Sequence, residues 1–135
     1  KHLKQLAEKK NLSNVEFLGY KSGNELINLV SNSSFSLITS IVYENCPMSI
    51  LESFALGKAV IGSKIGGIPE LINENIDGFT FEPGNAESLA DKMKILWSDK
   101  SKRKEMGRMG RDKIVKDFNP DKHYEKLHAI YNSLL

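Results

Sequence analysis

The sequence of 135 residues holds one cysteine, Cys46, one tryptophan, Trp97, and four prolines. A single cysteine excludes an intramolecular disulfide framework and any multi-cysteine zinc or iron–sulfur site. Apolar runs are short: FSLITSIV (35–42) is among the longest, far below the ~20 residues that span a bilayer. No basic-then-apolar leader opens the chain, which favours a cytoplasmic protein. The histidines His2, His123 and His128 are scattered over the terminal segments with no partner at metal-ligand spacing. They read as surface or packing residues, and no metal is expected. No internal repeat, low-complexity stretch or composition break divides the chain, so 1–135 reads as a single domain.

What is present is ordinary for a soluble domain: 40% hydrophobic and 27% charged residues. A chain of this length buries roughly two thirds of its unfolded surface and needs no staple to hold a core. The net charge of +2 is unevenly spread. Residues 1–90 carry seven Lys and Arg against ten Asp and Glu, and residues 91–135 carry twelve against seven. A basic half can face nucleic acid or anionic lipid. Here acids interrupt the bases throughout and the aromatic interleaving of an RNA binder is missing, so a solvated helix face is the better reading. No nucleic-acid partner is expected.

Strand-like and helical patterns alternate from the first residue. Residues 1–8 are already helical in pattern, with Leu3, Leu6 and Ala7 on one face and no capping residue ahead. That start suggests a piece of something longer. The helix is expected to end near Asn11. A short strand is then expected over Val15–Tyr20, and a helix over 24–32 with Leu26, Ile27 and Val30 on one side. A strand covered on both faces is expected over 35–41. Pro47 is expected at the first position of a helix that closes at Gly57. A buried strand over 59–63, the Gly66-Gly67 turn, a short helix at Pro69 and a strand over 78–81 follow. Asn85 is expected to cap a helix through 98 with Leu89, Met93, Leu96 and Trp97 inward. Two more helices are expected, over about 100–116, with Met106, Ile114 and Val115 on its apolar side, and over 120–134. This alternation predicts an α/β fold: a Rossmann-like parallel sheet with helices on both faces.

In such sheets ligands sit beyond the carboxyl ends of the strands, which singles out the turns 19–24, 42–47 and 63–69. In the second turn the N–H groups of Met48 and Ser49, following Pro47, face out of a helix N-terminus and suit an anion, a phosphate above all. Glu44 and Glu52 flank that helix start. Carboxylates there accept hydrogen bonds from hydroxyls, so a diphosphate flanked by polyols, a nucleotide-sugar, fits. The plain readings stay open at this point: a helix-dipole or capping carboxylate for Glu44, worth about 0.3–1 kcal/mol, and an exposed helix residue for Glu52, although its neighbours suggest a nearby buried face. Lys21 and Lys64 sit on ligand-side turns and read more readily as surface lysines. Cys46 lies where thiolate pKa values fall, but no histidine adjoins it to act as base. Gly66-Gly67 lacks the third glycine of a dinucleotide loop and the lysine of a P-loop, and reads as a tight turn that lets backbone approach the ligand.

The run YENCPMSILESFALGKAVIGSKIGGIPELI (43–72) resembles the signature of glycosyltransferase family 4, the retaining nucleotide-sugar transferases of the GT-B fold. The match consists of Glu44 and Glu52 separated by seven residues, a proline after the first, a glycine closing the helix, a buried strand, and Gly66-Gly67-Ile68-Pro69-Glu70. It continues through DGFTFEP (77–83), Leu89-Ala90 and Met106 to Arg111, before Phe118.

The resemblance implies the donor-binding C-terminal half of such an enzyme. Glu44 would face the donor sugar as the catalytic-site carboxylate. Backbone N–H groups of the stretch Cys46, Pro47, Met48 and Ser49 would hold sugar and diphosphate. Glu52 would bind the ribose hydroxyls, and Gly19, Tyr20 and Lys21 would lie beside the nucleobase. It further implies no cofactor and no metal, a UDP- or GDP-type sugar donor, and hexose transfer to a hydroxyl in surface polysaccharide or glycolipid synthesis. The enzyme would be cytoplasmic, at the inner face of the membrane.

Two departures qualify the match. Nothing here matches the two opening strands and the Arg/Lys diphosphate clamp, so an N-terminal acceptor domain and those strands are expected to be missing. The chain alone is expected to be inactive, with exposed sheet edges able to pair with a second copy. Thr39-Ser40 also stands where many members have Pro-Ser. A non-catalytic Rossmann-like module that binds a nucleotide or a protein is the alternative.

Overall fold

The computed structural model describes residues 2–134; Lys1 and Leu135, at the ends of the first and last expected helices, lie outside them. The elements are α1 (His2–Lys9), α2 (Gly23–Asn32), β1 (Ser36–Ile38), α3 (Met48–Ala55), β2 (Val60–Ser63), α4 (Ile68–Leu71), β3 (Gly78–Phe81), α5 (Ala86–Ser98), α6 (Lys100–Asp117) and α7 (Pro120–Asn132). The strands form one parallel sheet in the order β1-β2-β3, with Ser36 opposite Val60 and Val60 opposite Gly78. Alternation along β2 sends Val60 to one face and Ile61 to the other. Val60 packs with Ile50, Phe54, Ile68, Leu71 and Ile72 from α3 and α4 and the residue after it. Ile61 packs with Phe79, Phe81, Leu96 and Met106, which brings α5 and α6 onto the opposite face. The parallel α/β sheet with helices on both faces is therefore present.

Local chemistry sets the element ends. The side chains of Asn85, Asp99 and Asn119 accept from the N–H groups of Ser88, Lys102 and Lys122 at 2.9, 2.8 and 2.9 Å, capping α5, α6 and α7. Helix α3 stops where Gly57 turns left-handed at φ 69° and its N–H reaches the Phe54 carbonyl at 2.8 Å. Asn11, also left-handed at φ 52°, ends α1. Helix α6 lies against α3 because two of its positions carry no side chain. A Cβ on Gly107 would overlap the Gly57 carbonyl, and one on Gly110 would overlap the Phe54 ring.

Several expectations are corrected. Val15–Tyr20 is not a strand: no backbone hydrogen bond of a ladder reaches it among the described residues, and a β-prone segment without a neighbour remains irregular. The strand expected over 35–41 pairs only at Ser36–Ile38, and Leu37 is exposed because it faces an open cavity beside α2. Pro47 is the N-cap of α3, so the first helical residue is Met48. Trp97 points to solvent at 73% exposure, whereas Leu96 is buried as expected. On α6, Met106 is buried and Ile114 packs against the core, but Val115 is 65% exposed. Of the face Leu3, Leu6 and Ala7, only Ala7 is buried. Leu26 and Ile27 of α2 are exposed too.

Candidate functional site

The sheet delivers its carboxyl ends to one rim, and the loop from β1 to α3 (residues 39–47) crosses it. Pro47 at the N-cap is buried and offers no side-chain acceptor, so the first-turn N–H groups of Met48 and Ser49 face outward unclaimed by a cap. That excludes Glu44 as the cap of α3. The carboxylates of Glu44 and Glu52 enter no hydrogen bond or ion pair with the described residues, and Glu52 is exposed. The buried neighbours of Glu52 are Ser53 and Phe54 on the inner side of α3.

An open cavity of about 1,020 Å3 lies between the segment Leu18–Lys21 with α2 and the edge formed by β1 and α3. Gly19, Tyr20 and Lys21 line one wall, and Ser49 and Glu52 the other. Five residues singled out in the sequence from two distant turns thus face the same space. Its remaining lining is mostly aliphatic, including Leu26, Ile27 and Leu37. Tyr20 is 91% exposed, so its ring is free to meet a planar ligand. Lys21 pairs with Glu25 one turn along α2. Lys64 lies 3.9 Å from Glu82 at the surface. A second cavity of about 610 Å3, between α1 and residues 11–17, holds none of the expected site residues.

Glu44, Cys46, Pro47, Met48, Gly66 and Gly67 do not line the large cavity. They form a second group at the α3 N-terminus, where the Gly67 N–H donates to the Glu44 carbonyl at 2.8 Å. Cβ atoms on Gly66 and Gly67 would overlap the backbone of Glu44 and Asn45. Cys46 and Met48 are exposed. Sequence reasoning missed the serines beneath this surface. Ser53 is buried, donates to the Ser49 carbonyl at 2.7 Å and accepts from the Ser36 hydroxyl at 3.0 Å, tying α3 to β1. Ser63, fully buried at the end of β2, donates to the Ser40 carbonyl at 2.6 Å. Serines in otherwise apolar runs were the available signal. No cluster of His, Cys, Asp or Glu suited to a metal occurs among the described residues.

Comparison with known proteins agrees with this architecture. A family model described as glycosyl transferases group 1 matches residues 1–113. The N-acetyl-alpha-D-glucosaminyl L-malate synthase of Bacillus anthracis is 30% identical over 121 residues, covering 90% of this chain and 31% of that protein. A glycosyltransferase structure from Rickettsia africae superposes with a TM-score of 0.85 at 31% identity, over 98% of this chain and 35% of its own. The Anabaena protein HepE, solved in complex with UDP, shares the fold with a TM-score of 0.88 at 24% identity, over 98% of this chain and 36% of its own. The chain spans only part of the curated relatives it matches, 38% and 31% of the length of two of them and 19% of another.

Proposed function

Because the chain belongs to the glycosyl transferases group 1, we propose that it is the donor-holding part of a retaining glycosyltransferase that moves a hexose from a nucleotide-diphosphate sugar to an acceptor hydroxyl. The observation that carries this reading is the cavity in which Gly19, Tyr20 and Lys21 face Ser49 and Glu52 beside an uncapped helix N-terminus. In it the nucleobase lies along Gly19–Lys21 and the ribose hydroxyls donate to Glu52. The diphosphate meets the N–H groups of Cys46, Met48 and Ser49, Pro47 having none, where the positive end of α3 holds its charge. Glu44 accepts hydrogen bonds from the sugar hydroxyls. In the transfer the bond from the anomeric carbon to the phosphate oxygen breaks and its electron pair leaves with the diphosphate. The acceptor oxygen bonds the same carbon from the face the diphosphate leaves, and its proton passes to the departing phosphate oxygen. Fixed N–H donors aimed at the departing diphosphate stabilise the charge that grows there, in place of a metal.

Related proteins named for UDP, for capsular polysaccharide and for amylovoran synthesis support a nucleoside diphosphate donor and a surface-polysaccharide role. The acceptor then sits on a further domain across the cleft, and this chain alone is inactive. No helix among the described residues is long and apolar enough to cross a membrane; a cytoplasmic enzyme working at the membrane's inner face is the proposed setting.

The test is a calorimetric titration of UDP and of GDP into the protein and into Glu52→Ala. We expect binding of one diphosphate, reduced at least tenfold by the substitution. Binding of both that ignores Glu52 overturns the ribose assignment, and sugar transfer by this chain at the rate of a two-domain enzyme overturns the assignment of half a site.

A further inference from the structure

Residues 39–47 carry Glu44 to the rim without regular structure of their own. Inside the loop only one side-chain bond occurs among the described residues, from the Ser40 hydroxyl to the Val42 carbonyl at 3.2 Å. A free nine-residue connection of this kind would sample many conformations and lose the direction of its carboxylate. Two bonds prevent this, one from the last residue of β2 and one from the turn that follows it. The Ser63 hydroxyl takes the Ser40 carbonyl near the start of the loop, at 2.6 Å. The Gly67 N–H takes the Glu44 carbonyl itself, at 2.8 Å.

The anchor is built into the buried end of the sheet. Ser63 is fully buried and in register with Phe81, and the next N–H, of Lys64, continues the ladder to the Phe81 carbonyl at 2.8 Å. Gly66 adopts φ +56° and, with Gly67, lets the turn close directly on the Glu44–Asn45 backbone. The Glu44 carboxylate remains without a partner among the described residues, while its own carbonyl is held. This division, a fixed backbone under an unclaimed side chain, is what a preorganised binding group requires.

We infer that the turn Ser63–Gly67 is the positioning element of Glu44, and that the paired glycines are needed for their approach to the Glu44 loop. Ser63 and Gly67 are positioning residues that act through Glu44. The loop mechanics stand on the structure, and the consequence for a sugar rests on the donor reading proposed above.

The experiment compares the unaltered protein with Gly67→Ala, the milder Ser63→Ala, and Gly84→Ala as a control at an open glycine. Amide hydrogen exchange is followed by peptide, and UDP and UDP-glucose are titrated separately. In Gly67→Ala we expect exchange over residues 42–48 to rise at least tenfold while β2 and β3 keep their protection. Ser63→Ala should raise it about threefold, and Gly84→Ala should leave it unchanged. Affinity for UDP-glucose should fall at least tenfold further than affinity for UDP, which shares the N–H groups of this loop but not Glu44, a difference that general destabilisation does not produce.

Unchanged exchange over 42–48 overturns the inference, as does a rise shared equally by β2 and β3 in both variants. An equal loss for both ligands overturns the link to Glu44. If the unaltered protein binds neither ligand, the donor reading fails, and the exchange data alone decide the inference.

Discussion

Two parts of this molecule use similar residues with opposite results. From Met48 to Asp117, apolar side chains meet across the sheet, and Ile50, Phe54, Val60, Ile61 and Leu96 have no exposed surface. From His2 to Asn32, and again along α7, the residues are as apolar in type, yet Leu3, Phe17, Ile27, Ile130 and Tyr131 all remain exposed. Helix α2 has a correct amphipathic pattern and nothing to lay it on. The difference shows that periodicity specifies an element's type, whereas its stabilisation comes from a neighbour that shares its apolar face.

The sharpest way to break this comparison is a pair of phenylalanines. Phe54→Ala, which empties a site enclosed by Gly110 and by Lys113 4.5 Å above the ring, should cost about 3–5 kcal/mol in urea unfolding. Phe17→Ala should cost under about 1 kcal/mol; equal losses would mean that the two regions are not different in kind.

A pair of ion pairs comes next. Asp77 is 1% exposed and bonds both Lys113 and the Asn73 N–H. Asp77→Ala therefore strands a largely buried ammonium and should cost about 3 kcal/mol. Asp112→Ala, which loses an exposed Arg108 contact, should cost less than about 1 kcal/mol.

The smallest effect concerns acid. Burial pushes the Glu74 carboxyl up, but hydrogen bonds from the Thr80 N–H, Lys92 and the Thr80 hydroxyl outweigh it and hold its pKa below the usual range. A depressed folded pKa contributes stability that is present above the unfolded value of about 4.3 and is lost as pH falls through the folded one. Because Glu74 is substantially exposed, the contribution should be under about 1 kcal/mol. Thermal melts of Glu74→Gln should show a shallower loss than the unaltered protein as pH falls below the unfolded carboxylate value of about 4.3; parallel curves would exclude this carboxylate as an acid-sensitive tie.

The elements of the packed part were legible because each carries its own punctuation: Asn85 before α5, Pro47 and Gly57 around α3, and a β-branched run at Val60-Ile61. Val15–Tyr20 was misread because strand propensity describes a segment's fitness for a ladder, and a ladder needs a second strand. Trp97 was misread because α5 turns its Leu96 side to the sheet and leaves the adjacent position to water. At the candidate site both carboxylates were singled out through the ordered series of motifs around them; of the two, Glu52 lines the cavity and Glu44 does not. The bonds beneath them were not legible, because Ser63 and Ser40 lie 23 residues apart and no local pattern records such a partnership. The glycine pair was noticed, but its neighbour was not: Gly66 and Gly67 close on the Glu44 loop, a contact that only the tertiary structure defines.

The seating of α6 on α3 through Gly107 and Gly110 has a consequence for the cavity. One wall, carrying Ser49 and Glu52, is fixed by that seat before anything arrives. The facing wall, Gly19 to Lys21, is joined to it by no ladder among the described residues. A small molecule touching both would meet one side set by helix packing and another held by irregular backbone. Substitutions at the seat should then change its binding through the shape of the wall, and substitutions in residues 12–22 through the ordering that binding requires.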